Sequence, residues 1–130
     1  MNLPVGVTCL DYVRIYADAD GQSHFADVTV GGAERRSPVS TGVSVYSAPI
    51  PTAAVVLRRV VQAHPGSPHV SPCRQFVINL RGAVEVEVGD GEVRRIEPGQ
   101  LILLEDTHGI GHITREIDPD RLSVFIELAS

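Results

Sequence analysis

The 130-residue sequence predicts an all-β domain, built as an antiparallel barrel or jelly roll. Three observations carry this. Short β-type runs recur about every ten positions, separated by turn residues. The apolar content is mostly Val, Leu and Ile, with 5% aromatics and no Trp, which favours sheets. No stretch shows a convincing long helical period.

Residues 13–17 alternate, and the turn ADADGQ at 17–22 follows them. Residues 24–30 read as a strand ended by Gly31 and Gly32. The polar stretch AERRSPVSTG, residues 33–42, reads as a loop. A brief strand at 43–47 is stopped by APIPT at 48–52. The run AVVLRRVV, residues 54–61, fits helix or strand by period alone. Its β-branched content and flanking prolines favour a strand.

HPGSP at 64–68 is a turn before the strand at 75–80. Residues 83–88 (AVEVEV) give the clearest period-2 signal, with Val84, Val86 and Val88 on one face and Glu85 and Glu87 on the other. The turn GDG at 89–91 returns the chain antiparallel through 92–96. EPG at 97–99 leads to the fully apolar strand 100–104. The polar connection EDTHGIGH spans 105–112, a strand leaves it at 113–115, and a turn at 118–120 opens the last strand, 122–128. The count is nine or ten strands, with no repeat, linker or low-complexity segment.

This length is one domain, residues 1–130. Residues 1–53 supply N-terminal strands and loops, and residues 54–130 the core. The net charge of −5 comes with scattered arginines rather than a basic stripe, so no nucleic-acid partner is expected. Cys9 and Cys73 show no metal or redox spacing and read as free thiols of a reducing cytosol. The opening MNLPVGVTCL lacks a positive n-region and a sufficient h-region, and no apolar run approaches the ~20 residues that span a bilayer. A soluble, cytoplasmic protein is the expectation.

The chemistry concentrates around HVSPCRQFVINLRG, residues 69–82, where coordinating groups precede a buried strand. His69 and Gln75 precede four strand passes, and His108 and His112 follow them. In an antiparallel meander an even number of passes returns the chain to the same end, so these segments should converge. Asn79 shares parity with Gln75 and Val77, which makes it a candidate polar lining group. Asp106 either forms a local Asx turn or fixes His112 and acts as general base. Arg58 and Tyr46 are candidates to reach a barrel mouth and bind an anionic or aromatic ligand. Arg74 should face the opposite side and pair with a carboxylate, while Glu105 should lie on the surface. His24 and His64 read as ordinary edge and turn residues, and Cys73 is the thiol nearest the site.

These residues resemble the cupins. The pattern His69-x5-Gln75-x6-Gly82 looks like their first motif, and GEVRRIEPG at 91–99, followed by a polar turn and His112, looks like their second. The likeness is to small single-domain bacterial cupins; it covers residues 54–128, and more loosely VRIYADADGQSHFADV at 13–28. It implies an antiparallel double-stranded β-helix, the cupin jelly-roll barrel. It also implies a divalent metal site (Zn, Ni, Mn or Fe) with His69, Gln75, His112 and His108 as candidate ligands. The departures weaken that site. Ser71 stands at the second histidine of the motif, the neutral Gln75 at its glutamate, and Glu105, Asp106 and Thr107 where Pro-x-Gly is usual.

The function expected is acid–base chemistry on a carbonyl compound: isomerisation, cyclisation or elimination, metal-assisted or metal-free. His69, His112 and Asp106 are its candidate catalytic groups; Gln75, Asn79, Arg58 and Tyr46 are its candidate substrate contacts. The alternative is a barrel that binds a small ligand without turnover. The resemblance further implies a homodimer in which N-terminal strands pack across the interface.

Overall fold

In the computed structural model, residues 10–36, 39, 42–63 and 65–130 are described; Cys9 and His64 fall outside them. The described residues form eleven strands and no helix. They are β1 (Leu10–Ala17), β2 (Ser23–Val30), β3 (Ala33–Arg36), β4 (Val43–Tyr46), β5 (Thr52–Arg59) and β6 (Gln75–Arg81). The remainder are β7 (Val84–Glu87), β8 (Val93–Ile96), β9 (Leu101–Leu104), β10 (Ile113–Glu116) and β11 (Leu122–Leu128).

Two sheets face each other as a β-sandwich. The larger runs β2-β1-β9-β6-β11-β5 and the smaller β10-β7-β8, while β3 and β4 form a separate two-stranded ribbon. Among the described residues no hydrogen-bonded ladder closes these sheets into one barrel: β2 and β5 remain edges of the larger sheet. One ladder is parallel, β1 beside β9 with Ile15 opposite Leu104, where antiparallel pairing throughout was expected. Residues 33–42 are only partly loop, because β3 pairs with β4 from Ala33–Tyr46 to Arg36–Val43. The sequence Ala33-Glu-Arg-Arg36 has no apolar–polar alternation, so it carried no strand signal there.

The four passes expected as a meander of the barrel are one long hairpin folded across both sheets. β6 pairs with β9, with Gln75 opposite Leu104, and β7 pairs with β8. Tight corners at Gly82 and at residues 97–99 carry the chain between sheets; Gly99 N–H donates to the Asn79 carbonyl at 2.9 Å. β11 then returns between β6 and β5. The consequence drawn from the sequence survives: the start of β6 and the end of β9 lie side by side.

Period-2 patterning sets the faces. Val13, Ile15, Phe25, Val77, Val84, Val86, Val88, Ile96, Ile102 and Leu104 form one buried cluster between the sheets, with Phe125 packed against it. β5 differs. It is an edge strand whose Val55 and Leu57 are 63% and 72% exposed, and the one β5 side chain that is not exposed belongs to Arg58. Among the described residues no helix is long and apolar enough to cross a membrane.

A histidine read as an ordinary edge residue holds two turns together. His24 meets Asp18 at 2.6 Å through Nε2 and Asp90 at 2.8 Å through Nδ1, tying the β1–β2 turn to the β7–β8 turn. Hydrogen bonding to Asp18, then to Asp90, raises the pKa of His24 above its usual value. The favoured charged form stabilises the fold fully below the unfolded-state pKa of about 6.5, and that contribution fades as pH rises through the folded value. Thermal unfolding followed from pH 5 to 9 should therefore show a decline in Tm above about pH 6.5 that His24→Gln flattens. A variant with the same slope would assign the decline to other groups.

Candidate functional site

A cavity of about 790 Å³ opens between the sheets beneath the segment that joins β5 to β6. Its walls are apolar, from Ile15, Val77, Val84, Val86, Ile102, Leu104 and Phe125. Polar groups gather in two places along the inward face of β6, one around Gln75 and one around Asn79. Four residues at ~3.3 Å each put these two places about 13 Å apart.

The first place holds the predicted histidines. β9 ends opposite Gln75, so Asp106, two positions beyond Leu104, shares its inward parity. Asp106 is fully buried, and its Oδ2 lies 2.5 Å from His112 Nδ1. As a carboxylate Asp106 can only accept, which assigns the shared proton to Nδ1 and leaves Nε2 as the ring's basic nitrogen; His112 lines the cavity. Nε2 has no hydrogen-bond partner among the described residues. Asp106 Oδ1 is also buried without one.

His69 joins His112 through paired backbone hydrogen bonds, each 3.0 Å, and their rings stand 4.9 Å apart. Unlike His112, His69 is exposed at the cavity rim, where its Nδ1 approaches the Ser67 carbonyl at 3.2 Å. Backbone pairing of Ser71 N–H with the Asp106 carbonyl, at 3.0 Å, closes this end.

Gln75 is buried and lines the cavity, where its amide is bonded to Ser71. Its Nε2 donates to Ser71 Oγ at 3.2 Å, and Ser71 in turn donates to the Cys73 carbonyl at 2.7 Å. Cys73 Sγ points at Gln75 Oε1, 3.8 Å away. Burial, and then the nearby Glu127, push the Cys73 thiol above its usual pKa, which is the opposite of an activated nucleophile.

Among the described residues no three His, Cys, Asp or Glu side chains gather into a group that could hold a metal ion. Gln75 and Ser71 are bonded to each other, Asp106 is committed to His112, and His108 sits in the exposed β9–β10 connection outside the cavity lining.

The second place contains groups that sequence reasoning largely missed. Asn79 lines the cavity as expected, and its Oδ1 accepts from Ser123 Oγ at 2.7 Å and from Arg121 Nη1 at 3.4 Å. Arg121 is buried and forms a forked pair with Glu116, Nε to Oε2 at 2.9 Å and Nη2 to Oε1 at 2.7 Å. Arg58 Nη2 donates to Ser123 Oγ at 3.3 Å, and its guanidinium lies 4.6 Å from the centre of the Phe125 ring. Register carried a usable signal: Ser123 lies opposite both Asn79 and Arg58, and Glu116 shares parity with His112. Arg121 had none, because it leaves a turn.

Tyr46 falls elsewhere, 46% exposed on β4 and outside the cavity lining. Glu105 was expected on the surface, yet its side chain is only 16% exposed. Arg14 and Arg74 both bond to it, Arg74 at 2.7 Å. Burial works to raise its pKa, but the two guanidiniums hold it below the usual carboxylate value. Glu105 faces away from the cavity and anchors the strand end from which Asp106 projects.

No protein-family model matches the chain, and no curated protein matches it either, so the reading rests on the chemistry of the site itself.

Proposed function

We propose that this chain is a small-molecule enzyme that moves a proton on a carbonyl compound, with His112 as base and Asp106 as its orienting partner. The observation that carries the proposal is the buried Asp106–His112 pair at the end of an apolar cavity. In that surrounding a carboxylate fixes the tautomer and stabilises the imidazolium formed when Nε2 accepts a proton. A C–H bond α to the carbonyl breaks, its electron pair moves into an enolate, and the proton sits on Nε2. Return of that proton to a different atom isomerises the substrate; loss of a neighbouring leaving group makes the same step an elimination. His69, exposed and next to His112, is placed to exchange protons with solvent and to donate to the enolate oxygen. All these steps run on the chain's own groups.

The folded hairpin of β6 to β9 and the resemblance of residues 69–82 and 91–112 to cupin motifs support a jelly-roll architecture of the cupin kind. A homodimer in a reducing cytosol completes the reading, supported by the exposed Val55 and Leu57 on edge strand β5. The alternative, binding without turnover, is favoured by the size of the cavity.

One screen separates the two. Small ketones, aldehydes and enols are incubated with the protein in D2O and read by mass spectrometry. The enzyme incorporates deuterium at the α-carbon of its substrate, and His112→Gln does not. Tight binding with no incorporation anywhere in the screen would support the binder.

A further inference from the structure

We infer that the Asn79 end of the cavity is a carboxylate subsite, with Arg58 as the group that receives a small organic acid. This deepens the acid–base reading and takes from it only the position of the reacting carbon.

Two guanidiniums and one carboxylate meet there. Arg121 is already neutralised by its forked pair with Glu116 and braced by Asn79. Arg58 has no carboxylate partner among the described residues: its one hydrogen bond runs from Nη2 to the Ser123 hydroxyl. Its Nε is buried without a partner. A buried, unpaired guanidinium donor is costly, and its fork geometry matches a carboxylate. The single uncompensated positive charge selects a monoanion.

Strand register aims Arg58 at this place. On β5 it is the one residue whose side chain is not exposed, while its neighbour Leu57 is outside the cavity lining. Arg59 also lines the cavity, but its charge is already paired with Asp120 at 2.6 Å. Phe125 lies under the Arg58 guanidinium, which restricts the orientation of the fork. Burial, and then repulsion from Arg121, lower the pKa of Arg58 from its ordinary value against the attraction of Glu116, and an arriving anion favours the charged form.

The walls between the two polar places, Val77 and Phe125 among them, are apolar. A ligand seated on Arg58 therefore lays a carbon skeleton along them and brings a distant carbonyl towards His112. The substrate class is an elongated keto acid or unsaturated acid rather than a neutral sugar or a phosphate ester.

Matched probes test this by titration calorimetry at pH 7: octanoate against octanamide, and 4-phenylbutyrate against 4-phenylbutanamide. Each carboxylate is expected to bind at least about tenfold more tightly than its amide, as for a hydrogen-bonded charge pair removed from water. Arg58→Met should erase that preference while leaving amide binding in place. Arg58→Lys should retain part of it, which guards against loss of fold in the first variant. Asp106→Asn should keep the preference, because it alters only the acid–base end. Equal binding within each pair, binding by neither member, or a preference that survives Arg58→Met would overturn the subsite. A preserved preference with no deuterium incorporation in any substrate would instead overturn the enzyme reading alone.

Discussion

Gly111→Ala is expected to lower the unfolding free energy by more than about 3 kcal/mol. Gly111 sits at φ 80°, where a side chain is strained, and a Cβ there would lie 2.0 Å from the His69 carbonyl oxygen and 2.2 Å from its carbon. Neither is a flexible side chain that could swing aside. The backbone bridge between His69 and His112 must open, and with it the paired 3.0 Å hydrogen bonds that set the distance between the rings. The Gly111 carbonyl also accepts from the buried Ser23 hydroxyl at 2.6 Å, so the strain spreads into the β2 edge.

For a domain of this size a loss of that order lowers Tm by roughly 10–15 °C. Gly91→Ala is the control. Gly91 has φ 93° but nothing within 4 Å of where a methyl group would sit, so only the backbone strain of about 1 kcal/mol should appear. Urea unfolding of both variants gives the two costs. Equal losses would mean that the His69–His112 contact is not tight.

Asp106→Asn is expected to lower the rate of proton transfer by about 10²- to 10⁴-fold with no loss of stability. The two readouts move apart for one reason. Asp106 is fully buried, and Oδ1 has no partner, so its charge is offset chiefly by the His112 N–H. Asparagine keeps the shape and a hydrogen bond to the ring, and the neutral imidazole left behind is no uncompensated buried charge, so the substitution is close to neutral in stability. The amide that replaces it can donate to Nδ1, which moves the ring proton to Nε2 and leaves no base facing the cavity. Tm and the deuterium-incorporation rate of the variant check this together. A variant that loses stability and activity in parallel would make Asp106 a structural residue.

Much of the fold was legible because burial on one face writes a period of two into the sequence. Residues 83–88 show it plainly, and β7 buries Val84 and Val86 while Glu85 and Glu87 stay half-exposed. The β3 strand wrote nothing, since its sequence Ala-Glu-Arg-Arg has no apolar–polar alternation although it pairs with β4. The partition of strands into two sheets was also hidden. Corners such as Gly82 read as ordinary turns, so a hairpin folded over two sheets looks the same in sequence as a flat meander. Counting passes still placed His69 and Gln75 beside His112, because parity does not depend on which sheet holds each pass; His108, expected with them, lies in the exposed β9–β10 connection outside the cavity lining.

The site was legible where chain direction and parity determine it, as for Gln75, Asn79, Asp106 and His112. It was not legible where ion pairing decides burial. Glu105 is largely covered because Arg14 and Arg74, 91 and 31 positions distant in the chain, reach it. Arg121 reaches the cavity from a turn that includes Asp120 at φ 62°. Tyr46 illustrates the converse: an aromatic residue with no parity argument behind it lands outside the cavity.

The tautomer of His112 tests the centre of this account most directly. Two-bond ¹H–¹⁵N correlation spectra at pH 7 are expected to show its Nδ1 protonated, with that proton shifted far downfield by Asp106, and its Nε2 unprotonated. Asp106→Asn should exchange the two nitrogens. A His112 ring that carries its proton on Nε2 in the unaltered protein, or that titrates like a solvated imidazole indifferent to Asp106, would contradict a base held ready at the cavity.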